Sequence, residues 1–514
     1  MERPTEQRAE RPAEQPTEQR PAWDPRLRGW AGLIAVLALV ARVVPVWRGG
    51  GLSATNGYDD GVYYAAATSL VHGQLPYRDY VLLHPPGSTV LLAPFALLAR
   101  VTSDTAGFET ARVAFMVLGA VNSVLVMVVA ARIGRRVALV AGLFYALFFP
   151  AVLVARTVTL EELGTTTLLV ALALLVRADG TRRPTGTQVV LAGAALGLGA
   201  TVKIWGADPF VVVLVWQAIV AGRAVAARLL AGAVAAAVVL CLPFFLAAPS
   251  TMFRYVVRDQ LGRPDGGGSI WSRLRDITGL RPLIASWPTV LAYVFLVVVV
   301  VAVLAATVAA LRRPQTRIFG ALVLALGLVL LASPSFFDHY AAFTAAPLAI
   351  VVGASADRVP ADLTARWPRP AFVAVAAVLV VALAAPGVLR PQGIHVPRSL
   401  AVAAAKVPGC ITADDPTVLV LMNAQSRDLR RHCRVWVDVT GITYDTADGR
   451  RPDNGRLDRE ADTRWQADIR TYLLSGSATI VTRPETDLAA ANAAVIAALP
   501  PLFSRGLYVL RSTR

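Results

Sequence analysis

Two aspartates stand side by side in Asn56-Gly57-Tyr58-Asp59-Asp60-Gly61-Val62-Tyr63-Tyr64, and a little further on the chain reads His84-Pro85-Pro86-Gly87. Adjacent carboxylates repel each other as anions, which helps to poise one of them as a general base. The structural alternative is a helix start, because Asp commonly caps one. Capping uses a single Asp, however, and leaves the Tyr-rich and His-Pro-Pro-Gly segments around the pair without a role. Asp59 and Asp60 are therefore candidate bases.

Further polar residues recur at the ends of apolar runs. Arg156 precedes Glu161-Glu162, which offer a second acid to orient a base or an acceptor, or simply complement a helix dipole. Lys203 closes an apolar run in a chain whose basic residues are otherwise Arg, with Lys406 the one other exception. A snorkelling anchor is one reading of Lys203 and a point-charge contact to a phosphate the other. His339-Tyr340 opens another run, either as a structural pair or as donors to a phosphate oxygen. Arg254, Arg258 and Arg263 with Gly266-Gly267-Gly268 make the 248–287 stretch cationic, suited to admitting an anionic lipid or to a solvated surface. No zinc-type Cys/His spacing, phosphate-cradling Gly loop or nucleophile elbow occurs, so nucleotide-driven transport has no support.

The elements that must position these groups are membrane helices. Of the 514 residues 55% are hydrophobic and 16% charged, and the mean hydropathy is +0.55. A soluble chain would carry about a quarter charged residues. Long Ala/Val/Leu runs also exclude an outer-membrane barrel, which needs alternating strands. The net charge of +16 resides in Arg clusters beside apolar runs, where it sets topology, so no nucleic-acid partner is expected. Residues 1–28 repeat Arg-Pro-Thr/Ala-Glu-Gln units and read as a disordered tail without a cleavable signal peptide. Spans are expected at 29–47, 108–131, 137–154, 160–176, 188–202, 208–221, 228–247, 288–311, 317–333, 340–354 and 371–386.

Ser88–Val101 decides the topology. If it does not span, the Arg clusters near 132–136, 177–183, 223–228, 312–317 and 358–369 all share the side of the basic tail, as the positive-inside rule prefers. Short and carrying Pro94, it reads as an interfacial helix. The expected fold is an all-α polytopic domain (29–386) with about eleven spans, an outer loop at 48–107 and an inside N-terminus. After Pro386 a small α/β domain (387–514) follows on the outside. Its strands are expected at Thr417–Met422, Arg434–Val439, Ala478–Thr482 and Leu507–Leu510, and its helices near 465–474 and 487–498. Cys410 and Cys433 would form a disulfide there, or stay as buried thiols if the domain faced inside. Cys241, within a span, reads as a small apolar side chain.

These residues resemble the GT-C superfamily of polytopic glycosyltransferases, in particular bacterial relatives of protein O-mannosyltransferases and lipid A aminoarabinose transferases. The matching features are the acidic pair after the first span, Tyr63-Tyr64, His84-Pro85-Pro86-Gly87, Arg156 before Glu161, Lys203 at a span end, and His339-Tyr340 with Pro347. The resemblance implies a multi-pass protein of the cytoplasmic (inner) membrane. It would take a sugar from a polyprenyl-phosphate carrier to a cell-envelope glycan, lipid or protein hydroxyl on the outer side, with inversion. Asp59 or Asp60 would be the base, assisted by Glu161 or Glu162. Arg156, Lys203, His339, Tyr340 and Arg258 would hold the donor phosphate, and Tyr63, Tyr64 and His84 the acceptor or sugar. No cofactor is required in this reading, and a divalent metal, though compatible, is not indicated. The chain departs from the commoner Asp-Glu pattern in having Asp-Asp, and in having Glu161-Glu162 where one Asp is usual. The rival reading is a lipid-linked sugar flippase, which needs a cationic cavity but no base.

Overall fold

The computed structural model of the protein describes residues 25–177, 184–261, 268–357, 385–444 and 459–514. After helix α1 (Pro25–Arg48) the chain forms strand β1 (Ala54–Thr55), α2 (Asp59–Val71) and α3 (Gly87–Val101). It continues through α4 (Asp104–Ala130), α5 (Arg135–Leu147), α6 (Phe149–Val154), α7 (Leu160–Leu175), α8 (Gly186–Val202), α9 (Ala207–Val220) and α10 (Arg223–Ala247). Next come α11 (Pro249–Phe253), a π-helical turn (Arg254–Arg258), α12 (Asp259–Leu261), α13 (Ile270–Ile277) and α14 (Arg281–Ile284). The last helices of the bundle among the described residues are α15 (Thr289–Leu311), α16 (Arg317–Ala332), a 3-10 turn (Asp338–Thr344) and α17 (Ala345–Ala356).

Five helices among the described residues are long and apolar enough to cross a membrane: α1, α4, α10, α15 and the continuous Asp338–Ala356 segment. α10 and α15 turn Val239 and Val290 outward, as helices facing hydrocarbon do. Shorter apolar helices pack between them. α8 and α10 meet at Gly193, Gly197 and Gly232, where a Cβ would strike the carbonyls of Leu229, Ala233 and Val190. Small residues allow this close backbone approach, in which dispersion replaces a hydrophobic drive. The expected 137–154 span is broken at Phe148, because Pro150 lies in the first turn of α6 and cannot continue the ladder of α5. The expected 371–386 span and most of the 1–28 tail lie outside the described residues, and α1 already begins at Pro25.

α3 has 15 residues, about 22 Å at the usual rise, too short for a hydrocarbon core of about 30 Å. Gly87 at its start presses on Thr201 at the end of α8, and just beyond its other end Asp104 accepts from Ser426 of the C-terminal region. Gly353 near the end of α17 packs on Val137 beside Arg135 and Arg136.

In the C-terminal region a four-stranded sheet runs in the order β3 (Ile411–Ala413), β4 (Ala478–Ile480), β6 (Tyr508–Ser512), β5 (Pro501–Arg505). β3 and β4 are parallel and the remaining pairs antiparallel. Strand β2 (Ile394–His395) pairs instead with β1, between α1 and α2. Helices Thr463–Leu474 and Ala490–Ala498 stand where the sequence places them. Two expected strands do not form. Thr417–Met422 is mostly helix (Pro416–Leu421), since Asp415 caps the Thr417 N–H and Pro416 occupies the first turn. Arg434–Val439 has no partner strand and is irregular, pinned by Trp436 stacked on Tyr472 at 4.2 Å. Cys410 and Cys433 are joined as a disulfide, with Cα atoms 5.8 Å apart.

With Cys241 replaced by Ala, a membrane-impermeant maleimide added to intact cells should label Arg78→Cys and Ser475→Cys. Arg136→Cys should react only after permeabilisation. The reverse pattern would invert the topology.

Candidate active site

α2 starts at the acidic pair, yet no side chain caps it: Tyr58 occupies the cap position without a cap bond. The two aspartates part company at once. Successive helical residues point about 100° apart, and here one direction is protein and the other is open. The Asp60 side chain is 1% exposed and pairs with Arg112 of α4. It also accepts from the Thr157 hydroxyl and the Gly61 N–H. Arg112 is itself fully buried and donates to the carbonyls of Leu52 and Ala54, the latter at 2.7 Å. The Asp59 side chain remains 46% exposed, with Oδ2 3.6 Å from Nε2 of His339.

Behind Asp59 lies a line of alternating charge. His339 Nε2 is 3.8 Å from Oε1 of Glu161, and its Nδ1 is 3.7 Å from Asp338. Lys203 Nζ donates to Glu161 Oε1 at 2.5 Å and sits 3.8 Å from the centre of the Tyr340 ring. Tyr340 meets His339 edge-on at 4.8 Å, and Trp205 and Phe337 close the aromatic wall. Arg281 grips Asp276 with two bonds and reaches Asp338 at 3.3 Å, extending the chain of charges to the 248–287 stretch. Glu161 and Lys203 are both buried, so their attraction acts with little screening and fixes both side chains. Asp59 is thus an accessible carboxylate beside His339 and a fixed line of charge pairs, a setting in which a carboxylate can take a proton.

On the other side, Tyr63 lies one turn after Asp59 and its hydroxyl is 3.4 Å from Nε2 of His84. The Tyr77 hydroxyl donates to the His84 carbonyl at 2.7 Å, and Gln260 donates to the Leu83 carbonyl. His84 is thereby tied to α2, and its neighbour Leu83 to α12.

Several candidates are drawn elsewhere. Glu162 turns into the bundle, where Asn122 donates to it at 2.6 Å. Arg156 is buried and donates to Gln392 and to the Gly387 carbonyl, so it anchors the chain after the membrane domain. Tyr64 is completely buried against Phe108 and donates to Phe95. The Arg258 side chain is 71% exposed, 3.7 Å from Asp259. Sequence reasoning missed Arg112, Thr157 and the Arg281–Asp276–Asp338 group. Arg112 carried a usable signal, being a charge inside an apolar span. Among the described residues no three His, Cys, Asp or Glu side chains converge as a metal-ligand set.

Residues 82–334 match the sequence model of glycosyltransferase family 87, a stretch that holds His84, Arg112, Glu161 and Lys203 but neither Asp59 nor His339. No curated protein sequence matches the chain. Among solved structures it is similar to ArnT from Cupriavidus metallidurans bound to undecaprenyl phosphate. The TM-score is 0.62 at 18% identity, over 95% of this chain and 98% of that one. The chain has the GT-C glycosyltransferase fold. Another structure of this GT-C group is archaeal oligosaccharyltransferase AglB from Archaeoglobus fulgidus, in complex with an inhibitory peptide and a dolichol-phosphate. It gives a TM-score of 0.54 at 12% identity, covering 89% of this chain and 69% of that one.

The two aspartates of this GT-C chain should separate in stability measurements. Arg112→Leu leaves Asp60 buried without its cation and should cost about 3–5 kcal/mol, read as a lower unfolding midpoint in detergent. Asp59→Asn removes an exposed charge and should stay within about 0.5 kcal/mol of the parent.

Proposed function

We propose that this protein is a membrane glycosyltransferase that moves a sugar from a polyprenyl-phosphate carrier to a hydroxyl at the extracytoplasmic face of the cytoplasmic membrane. The observation that carries the reading is the accessible Asp59 carboxylate, 3.6 Å from His339 and backed by the buried Glu161–Lys203 pair. The acceptor hydroxyl gives its proton to Asp59 and its oxygen attacks the anomeric carbon. The bond from that carbon to the phosphate oxygen breaks, and its electron pair leaves with the lipid phosphate. Single displacement inverts the anomeric centre. His339 and Lys203 stabilise the charge gathering on the phosphate, Tyr340 fixes Lys203, and the exposed Arg258 of the 248–287 stretch meets the incoming anion. These cations carry the charge stabilisation in the mechanism, which invokes no metal. Tyr63 and His84 line the acceptor or sugar side. Undecaprenyl phosphate on ArnT and dolichol-phosphate on AglB, proteins of the same fold, support a lipid-phosphate carrier. The acceptor class is a cell-envelope glycan, lipid or protein.

The test is transfer by the purified protein from mannosyl, arabinosyl and galactosyl polyprenyl phosphates to envelope extracts, followed by mass spectrometry. Asp59→Asn should lower kcat roughly 100- to 10,000-fold with donor KM nearly unchanged. Wild-type transfer rates in Asp59→Asn would overturn the assignment of the base. Movement of labelled donor across proteoliposomes without any transfer would replace the enzyme with a flippase.

A further inference from the structure

The first turn of α2 holds the proposed base, and the Asp60–Arg112 pair anchors it on the bundle side alone. Its cap position has no side-chain cap bond. The preceding Gly57 has a φ of +150° and no neighbour within 4 Å of where its Cβ would stand. An uncapped helix start beside a glycine should fray on the side that Asp60 does not hold. On that side it is restrained by Tyr58, gripped from outside the membrane domain. The Tyr58 hydroxyl donates to Oδ1 of Asp438 at 2.9 Å and accepts from the Thr440 N–H at 2.9 Å. The Arg483 guanidinium lies 4.3 Å from the centre of its ring. Burial, and then the Asp438 carboxylate, push the Tyr58 phenol well up, so it stays a donor across the working pH range.

The grip is itself fixed. Asp438 accepts from the Gly441 N–H at 2.8 Å, in the loop that follows Cys433 of the disulfide and the Trp436–Tyr472 stack. The Arg483 N–H donates to buried Asp414 at 2.9 Å. Next to it, Gly61 lets the Pro416–Leu421 helix approach α2 so closely that a Cβ would strike Thr417. Upstream, β1 pairs with β2 and Thr55 lies 3.4 Å from the Tyr508 hydroxyl. The segment leading to Asp59 is therefore bound along its length by residues that come after the bundle.

We infer that the C-terminal domain is a positioning element for catalysis, with Asp438 and Arg483 clamping Tyr58 so that the adjacent Asp59 carboxylate keeps its place beside His339. The inference rests on Asp59 acting as the base. Tyr58 is a positioning residue and touches no reacting atom. A base must be held within about 0.5 Å, and a misplacement of about 1 Å costs on the order of 100-fold in rate.

The experiment compares full-length wild type, Tyr58→Phe, Asp438→Asn and the double variant in detergent. Three quantities are measured: kcat and donor KM with a polyprenyl-phosphate sugar, the unfolding midpoint, and amide hydrogen exchange of the peptide spanning residues 57–64. Each single variant should lower kcat on the order of 100-fold with donor KM within about twofold. Exchange of the 57–64 peptide should quicken at least about tenfold at an unchanged midpoint. The double variant should be no worse than either single one, because both break the same contact. Wild-type kcat, unchanged exchange, multiplicative losses, or a lowered midpoint with exchange raised throughout the protein would each overturn the clamp. If wild type transfers no sugar at all, the reading of the site as a transferase fails. The exchange measurement then decides by itself whether the C-terminal domain restrains Asp59.

Discussion

A carboxylate taken out of water must meet a cation where it stands, and Arg112 does this for Asp60. That pair joins the first turn of α2 to the middle of the apolar α4 sequence. Because Arg112 also binds the carbonyls of Leu52 and Ala54, and Thr157 also binds Asp60, it fixes β1, α2 and the turn after α6 against one another. The neighbouring Asp59 inherits a rigid base on one side and openness on the other. The charge of Asp60 thus serves the architecture, whereas that of Asp59 stays accessible.

The same division recurs one loop away. Glu161 and Glu162 are as close in sequence as the two aspartates, but Glu161 faces Lys203 and His339 whereas Glu162 turns toward Asn122. Neither split is legible from spacing, since a helix turn of about 100° separates neighbours but does not say which faces the opening. That depends on Arg112, 52 residues after Asp60, and on Lys203, 42 residues after Glu161. Pairings across such distances are made by packing.

Much else was legible. Apolar runs set off by Arg clusters located most helices. The signal failed where burial on all sides blurs periodicity. Thr417–Leu421 is rich in β-branched and apolar residues and completely buried, so its pattern suited a strand; Asp415-Pro416 decided for a helix. Tyr58 drew no notice beside two aspartates, because its partners Asp438 and Arg483 lie in the last quarter of the chain.

That distance bears on how the protein is made. The segment from β1 to Tyr58 is made before the helices from α2 to α17, and β2, Asp438 and Arg483 come only after them. Contacts of such long sequence separation form late and slowly. A nascent chain that has reached α17 therefore has Arg112 to hold the 52–60 segment but still lacks its β2, Asp438 and Arg483 contacts. Completion of the last domain, including closure of the Cys410–Cys433 bond, would mark the moment at which the site matures.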